Sequence, residues 1–251
     1  MRLPNVVVAI AVLFGTAVCV RLGFWQIDRL HQKQALNAAL RAALAAPALE
    51  AGTRYLPLAV VGDRRVRYEG RFDETRQVLL SGRADHGAPG VRVVTPLRLA
   101  DDSTAVLVDR GWLYSPDAAT VYPQQYHEPV ARAVEGLPAA IDPHLASLPW
   151  LAFEHDSVTL WSARILTRDS LAPRFPYALA PYVVRELPGP GVPAEPKRTP
   201  PEPRDEFMHV SYAIQWFLFG AILLFGSMLL AWTRRRGAPA AVVAPGHETI
   251  D

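Results

Sequence analysis

The chain has 251 residues and a mass of 27.6 kDa, with charged residues at 20% and a formal net charge of only +2. That is enough for one medium domain plus attachments, and it excludes the basic excess of a nucleic-acid binder. The single cysteine, Cys19, excludes an intrachain disulfide and a Cys-x-x-Cys zinc or copper site.

The first apolar run, Leu3 to Val20, lies between Arg2 and Arg21 and is just long enough to span a bilayer. Continuation through LGFWQI gives a first transmembrane helix over 1–27, with Arg21 snorkelling to the interface. A cleavable signal peptide is the rival reading. Against it, no small-x-small site is followed by a polar mature start, and Val18 is a poor neighbour for lipoprotein processing at Cys19. An uncleaved anchor is expected. The pattern then runs on as an amphipathic helical extension over 28–50, with Gln26, Arg29 and Lys33 at i, i+3 and i+7 on one stripe.

Residues 51–186 read as β-rich. Val66 to Phe72, Gln77 to Ser81, Arg92 to Leu99 and Ala105 to Trp112 are strand candidates, and Arg132 to Leu137, Ser157 to Ser162 and Ala178 to Glu186 are weaker ones. Turn signals at Gly82 to Asp85, Gly87 to Gly90 and Asp101 to Ser103 separate the first four. Thr167 to Arg174 suits a short helix with Asp169 near its start. Strands about ten residues apart suggest an antiparallel small barrel or sandwich. Within VLVDRGWL, Val106 to Leu113, the string Asp109-Arg110-Gly111-Trp112 reads as a strand terminus with a local ion pair and a turn glycine. Residues 187–206 hold seven prolines and read as a semi-rigid linker.

From Phe207 to Thr233 the chain carries no Asp, Glu, Lys or Arg, and the run closes on Arg234, Arg235 and Arg236. At about 1.5 Å per residue this second transmembrane helix is about 40 Å long, against about 30 Å of hydrocarbon. The arginines pin its C-terminal end, so the excess falls at His209, which is expected in an interface. Arg2 and the arginine triplet mark both termini as cytoplasmic, with 234–251 as a cytoplasmic tail. The central domain is then expected to face the periplasm of a bacterium from its inner membrane, or an intermembrane space in an organelle.

The chemistry-bearing residues cluster at that end. His209, Tyr212, Trp216 and Gly220 fall at i, i+3, i+7 and i+11 on one face, with Gln215 at the flank. One imidazole among aromatics suits a flat porphyrin with His209 as axial ligand; an ordinary interfacial aromatic belt is the competing reading. Trp25, Gln26 and Arg29 sit at the exit of the first helix. Arg29 could pair with a carboxylate such as a haem propionate, or simply anchor the helix end. The other histidines, His31, His86, His127, His144, His155 and His247, have no ligand spacing. No GxSxG, P-loop, HExxH or Rossmann pattern occurs.

Four strings in order resemble the Surfeit-locus family of cytochrome c oxidase assembly proteins: LGFWQIDRLHQK; VRYEGRFDETRQVLLSGR running into GAPGVRVVTPL; VLVDRGWL; and HVSYAIQWFLFG. The framework spans nearly the whole chain. The chain departs from the family after RGW, where Leu113-Tyr114-Ser115-Pro116 replaces the usual Val-Pro, and after Glu154. The resemblance implies a non-enzymatic, membrane-anchored helper in the maturation of oxidase subunit one, holding haem a from the haem a synthase for delivery. It maps the family's histidine onto His209 and its aromatic partner onto Trp216, with Trp25 and Arg29 in the first block. The alternative is a scaffold without haem contact that holds subunit one or the synthase. A third reading, an enzyme or sensor, would require a cleft lined by perturbed carboxylates.

Overall fold

The N-terminal apolar stretch and the expected amphipathic extension form one continuous helix, α1, Leu3–Ala45. It ends before Pro47, which cannot continue a helix. The structure is a computed structural model that describes residues 3–101, 103–126, 128–141, 148–155 and 158–236. The expected tail beyond Arg236, together with Asp102, His127, His144, Ser157 and His247, lies outside the described residues. The extension is shorter than its expected bounds, because residues 49–52 turn into a strand. At the other end the charge-free run forms α4, Phe207–Arg236. Both helices are long and apolar enough to cross a membrane.

Two compact units divide the chain. One combines residues 1–38 with 204–251; the other comprises 39–203. The second contains β1 (Leu49–Gly52), the short helix α2 (Leu58–Val61), β2 (Val66–Phe72), β3 (Arg76–Asp85), β4 (Ala88–Arg98), β5 (Ala105–Tyr114), β6 (Ala131–Ala140), β7 (Leu151–His155), β8 (Val158–Ala163), α3 (Arg168–Leu171) and β9 (Leu179–Glu186). The Thr167 hydroxyl caps α3 by accepting from the Ser170 amide.

The strands form one sheet in the order β1-β2-β6-β9-β5-β4-β3-β8-β7, and a further β2–β4 pairing closes it on itself. Strands β2, β6, β9, β5 and β4 therefore make a small five-stranded barrel, and β3, β8 and β7 extend it as a wing. Of the two expected forms, small barrel or sandwich, the sheet takes the barrel; the antiparallel pairing holds only in part. β1–β2, β3–β8 and β5–β9 are parallel. Alternation along a strand encodes which face is buried but not which way a neighbour runs.

Alternation fills the barrel. β9 sends Ala180, Tyr182 and Val184 inward to meet Tyr68, Phe72, Leu97, Val108 and Val134. Two tyrosines cannot be buried without partners for their hydroxyls. The Tyr68 and Tyr182 hydroxyls lie 2.6 Å apart, and Tyr182 donates to the Leu56 carbonyl at 2.7 Å. Burial pushes both phenols up.

The DRGW string corrects the expectation of a strand terminus. β5 runs through it to Tyr114, and the register slips from Val93↔Gly111 to Val94↔Asp109, leaving Arg110 as the extra residue of a β-bulge. Gly111 stands at φ +123°, and a Cβ there would lie 2.6 Å from the Lys197 carbonyl. The glycine serves the bulge and the close approach of a neighbouring segment, where a tight turn was expected. Asp109 pairs with Arg92 across the strands at 2.6 Å, a cross-strand pair in place of the local one expected.

The neighbouring segment belongs to the proline-rich stretch. Lys197 and Trp112 exchange two backbone hydrogen bonds, of 2.9 and 2.8 Å. Arg198 is buried, and donates to Glu128 at 2.7 Å and Glu186 at 3.0 Å. Arg132 joins both carboxylates, Arg110 reaches Glu128 at 3.1 Å, and both guanidinium groups lie over the Phe72 ring. The residues from Lys197 onward are thus a strap fastened to β5 and to a buried ion network.

Candidate functional site

The unit made by the two terminal helices is built on small residues. Gly15, Cys19 and Gly23 recur every four positions along one face of α1, and Ala213 and Gly220 lie on the inward face of α4. Such residues let helix backbones approach closely. A Cβ on Gly220 would lie 3.4 Å from Cys19 Cβ. A Cβ on Gly23 would come within 2.7 Å of the Phe217 ring, so that ring occupies the notch Gly23 leaves, edge-on to Phe24 at 5.4 Å between centroids.

A polar clasp holds the same pair at one end. Asn37, only 2% exposed, donates to the Arg204 carbonyl at 2.9 Å and to Glu206 at 2.7 Å, and accepts from the Arg204 amide at 2.8 Å. Lys33 donates to the Asp205 carbonyl at 3.1 Å. Asp205 in turn accepts from the Phe207 amide at 2.9 Å, satisfying one free N–H at the start of α4.

Between clasp and notch lies His209. Its Nδ1 is 2.7 Å from Oε1 of Gln26, which is buried. An amide oxygen only accepts, so in this orientation Nδ1 carries the proton. In the tautomer with Nδ1–H donating to Gln26, Nε2 holds the lone pair that an imidazole gives to a metal.

The other expected site residues divide. Trp216 is half-buried on the His209 side of α4 and meets Phe219 edge-on at 6.0 Å. Tyr212 and Gln215 lie on the exposed side of α4. Trp25 is exposed on α1, and Arg29 lies 5.6 Å from its ring centroid while donating to Gln32 at 2.9 Å. The structure therefore brings together His209 and Gln26, places Trp216 on the same side, and leaves Trp25 with Arg29 as an outward pair. No group of three or more His, Cys, Asp or Glu able to hold a metal occurs among the described residues. A ligand here would have one protein nitrogen and an apolar surround.

Sequence reasoning missed Asn37, Phe217 and the Gly15-Cys19-Gly23 stripe. The four-residue spacing of small side chains was a readable signal. Asn37 gave none, because its partners lie more than 160 positions away.

The buried carboxylates of the barrel domain, Glu128 and Glu186, are committed to arginines. Burial raises the Glu128 carboxyl, but the Arg110, Arg198 and Arg132 charges outweigh it and hold the group below its ordinary range. It is a structural anion with no proton to exchange near neutrality.

The sequence pattern of the SURF1 family matches residues 13–221. A SURF1-like protein of Monosiga brevicollis is 29% identical over 249 residues, covering 94% of this chain and 91% of its own. Those of Rickettsia felis and Rickettsia conorii are each 32% identical, over 109 and 101 residues, covering 41% and 38% of this chain and 45% and 39% of their own. The family match takes in the Gln26–His209 pair, the whole barrel, α1 from residue 13 and α4 as far as residue 221, and the chain belongs to the SURF1 family.

Proposed function

We propose that this protein is a membrane-anchored assembly factor for cytochrome c oxidase. In this reading α1 and α4 cross the inner membrane of a bacterium with both termini cytoplasmic, and the barrel domain stands in the periplasm. The protein takes haem a from the haem a synthase, holds it on His209, and releases it to subunit one. Membership of the SURF1 family supports the assembly role. The observation that supports the haem reading is the 2.7 Å contact between Gln26 Oε1 and His209 Nδ1, which leaves Nε2 as the ring atom this reading assigns to the iron.

The surroundings suit a porphyrin cargo. Trp216 and the apolar faces of two helices offer flat apolar surface for it, and Arg29, three residues after Gln26, is the cation this reading assigns to a propionate. In this reading a single imidazole ligand favours release. That is what a delivery protein requires and a resident haem protein does not.

The test is purification of the full chain in detergent from cells that make haem a. A Soret band near one haem per chain is expected, together with reduced occupancy in Gln26→Leu, which keeps the imidazole but frees its tautomer. A preparation with no haem would favour the scaffold reading, in which the helices and barrel hold subunit one or the synthase.

A further inference from the structure

The barrel domain holds a second concave site that the haem reading does not use. Three guanidinium groups, Arg83 on β3, Arg92 on β4 and Arg185 on β9, converge on a cleft of ≈ 450 Å³. The strap forms one wall of it through residues 199–202. β5 supplies Asp109 and Trp112, so the bulge at Arg110 and the Lys197–Trp112 bridge shape the floor.

The charges do not balance. Asp109 is committed to Arg92 at 2.6 Å, and Asp85 to Lys197 at 2.5 Å. Arg185 comes no nearer to Asp109 than 4.0 Å. Arg83 donates to the Arg164 carbonyl at 2.9 Å and has no carboxylate partner among the described residues. Arg83 Nε and Arg92 Nη2 are buried without an acceptor. Burial lowers the Arg185 guanidinium, and the Arg92 and Arg83 charges add to that against the opposing pull of Asp109, as expected where like charges gather. The remaining acid on the wall, Glu202, is exposed and forms no ion pair among the described residues.

Two guanidinium groups face one uncommitted acid, Glu202, so the cleft keeps a net positive charge that suits an anion. A phosphomonoester carries about −1.5 to −2 at neutral pH and offers three acceptor oxygens, which the planar forks of arginine match. Leu80, Trp112, Pro200 and Pro201 add apolar wall beside the arginines. We propose that this cleft binds a phosphomonoester on a small apolar or aromatic body, with Arg83 and Arg185 gripping the phosphate and Trp112 with the strap prolines covering the body. The site is independent of the Gln26–His209 pair.

The test titrates phenyl phosphate, inorganic phosphate and short-chain phosphatidic acid against the full chain in dodecyl maltoside, read by ³¹P NMR. Saturable binding of phenyl phosphate at one per chain is expected, tighter than that of inorganic phosphate. Arg83→Gln and Arg185→Gln should each weaken it at least tenfold. Glu202→Gln, at an exposed position, should tighten it severalfold by removing the uncommitted acid, which separates recognition from any folding defect of the arginine variants. Stronger binding of phosphatidic acid than of phenyl phosphate would identify a lipid headgroup as the source, and the reverse a soluble phosphomonoester. Lack of saturable binding to the wild-type chain would overturn the assignment, as would arginine variants that bind as it does.

Discussion

Replacing Glu128 by Gln should cost the barrel domain about 3–5 kcal/mol at neutral pH, the range for breaking a buried ion pair by removing one partner. The side chain is fully buried and accepts from Arg198 at 2.7 Å, Arg132 at 2.8 Å and Arg110 at 3.1 Å. Glutamine keeps the shape but removes the charge and turns an N–H₂ towards donors. Three guanidinium groups then share Glu186 and the partly exposed Glu74. The pH dependence has a definite sign. The folded carboxyl lies below its ordinary 4.5, so its contribution is fully present above about 4.5 and is lost as pH falls through the folded value. Urea unfolding of the full chain in detergent, followed by tryptophan fluorescence, measures both effects. The gap between wild type and Glu128→Gln should be several kcal/mol at pH 7 and narrow as pH falls below 4.5. A gap under about 1 kcal/mol at pH 7, or one that stays constant down to pH 3, would refute the assignment of Glu128 as the anion that holds Arg198 and the strap.

Two further expectations concern the helix pair. Asn37→Ala removes three hydrogen bonds, worth about 2–3 kcal/mol together at about 1 kcal/mol each, and should speed tryptic cleavage after Arg204; an unchanged cleavage rate would contradict the clasp. Gly220→Cys should crosslink to Cys19 on mild oxidation, because the two Cβ positions lie 3.4 Å apart, close to disulfide geometry. Gly23→Val in that background should reduce the yield by displacing Phe217, and a full yield would show that the notch does not govern the pairing.

Much of the fold was legible in local pattern. The charge-free runs gave both long helices, and period-two alternation gave β2, β5 and β9 nearly to their ends, while β4 begins four residues early, inside the expected Gly87 to Gly90 turn. What alternation cannot carry is strand direction, so the parallel β3–β8 and β5–β9 pairs were unreadable. The strap was misjudged for a related reason. Seven prolines predict stiffness, but nothing local shows that Arg198 will meet Glu128 seventy positions earlier. At the candidate site, the helical period placed Tyr212 and Trp216 on one face with His209. Tyr212 falls at the edge of that face and is exposed, whereas His209 and Trp216 are part-buried. Gln26 was picked for its depth near the helix exit, and its bond to His209 emerged only from the pairing of the helices.

The central claim rests on one nitrogen. Haem a titrated into the detergent-solubilised full chain, wild type beside His209→Ala, tests it by the Soret band. The account predicts stoichiometric binding with a histidine-ligated spectrum in the wild type, and a shifted spectrum with at least tenfold weaker binding in the variant. Equal affinity and identical spectra in the two proteins would contradict it.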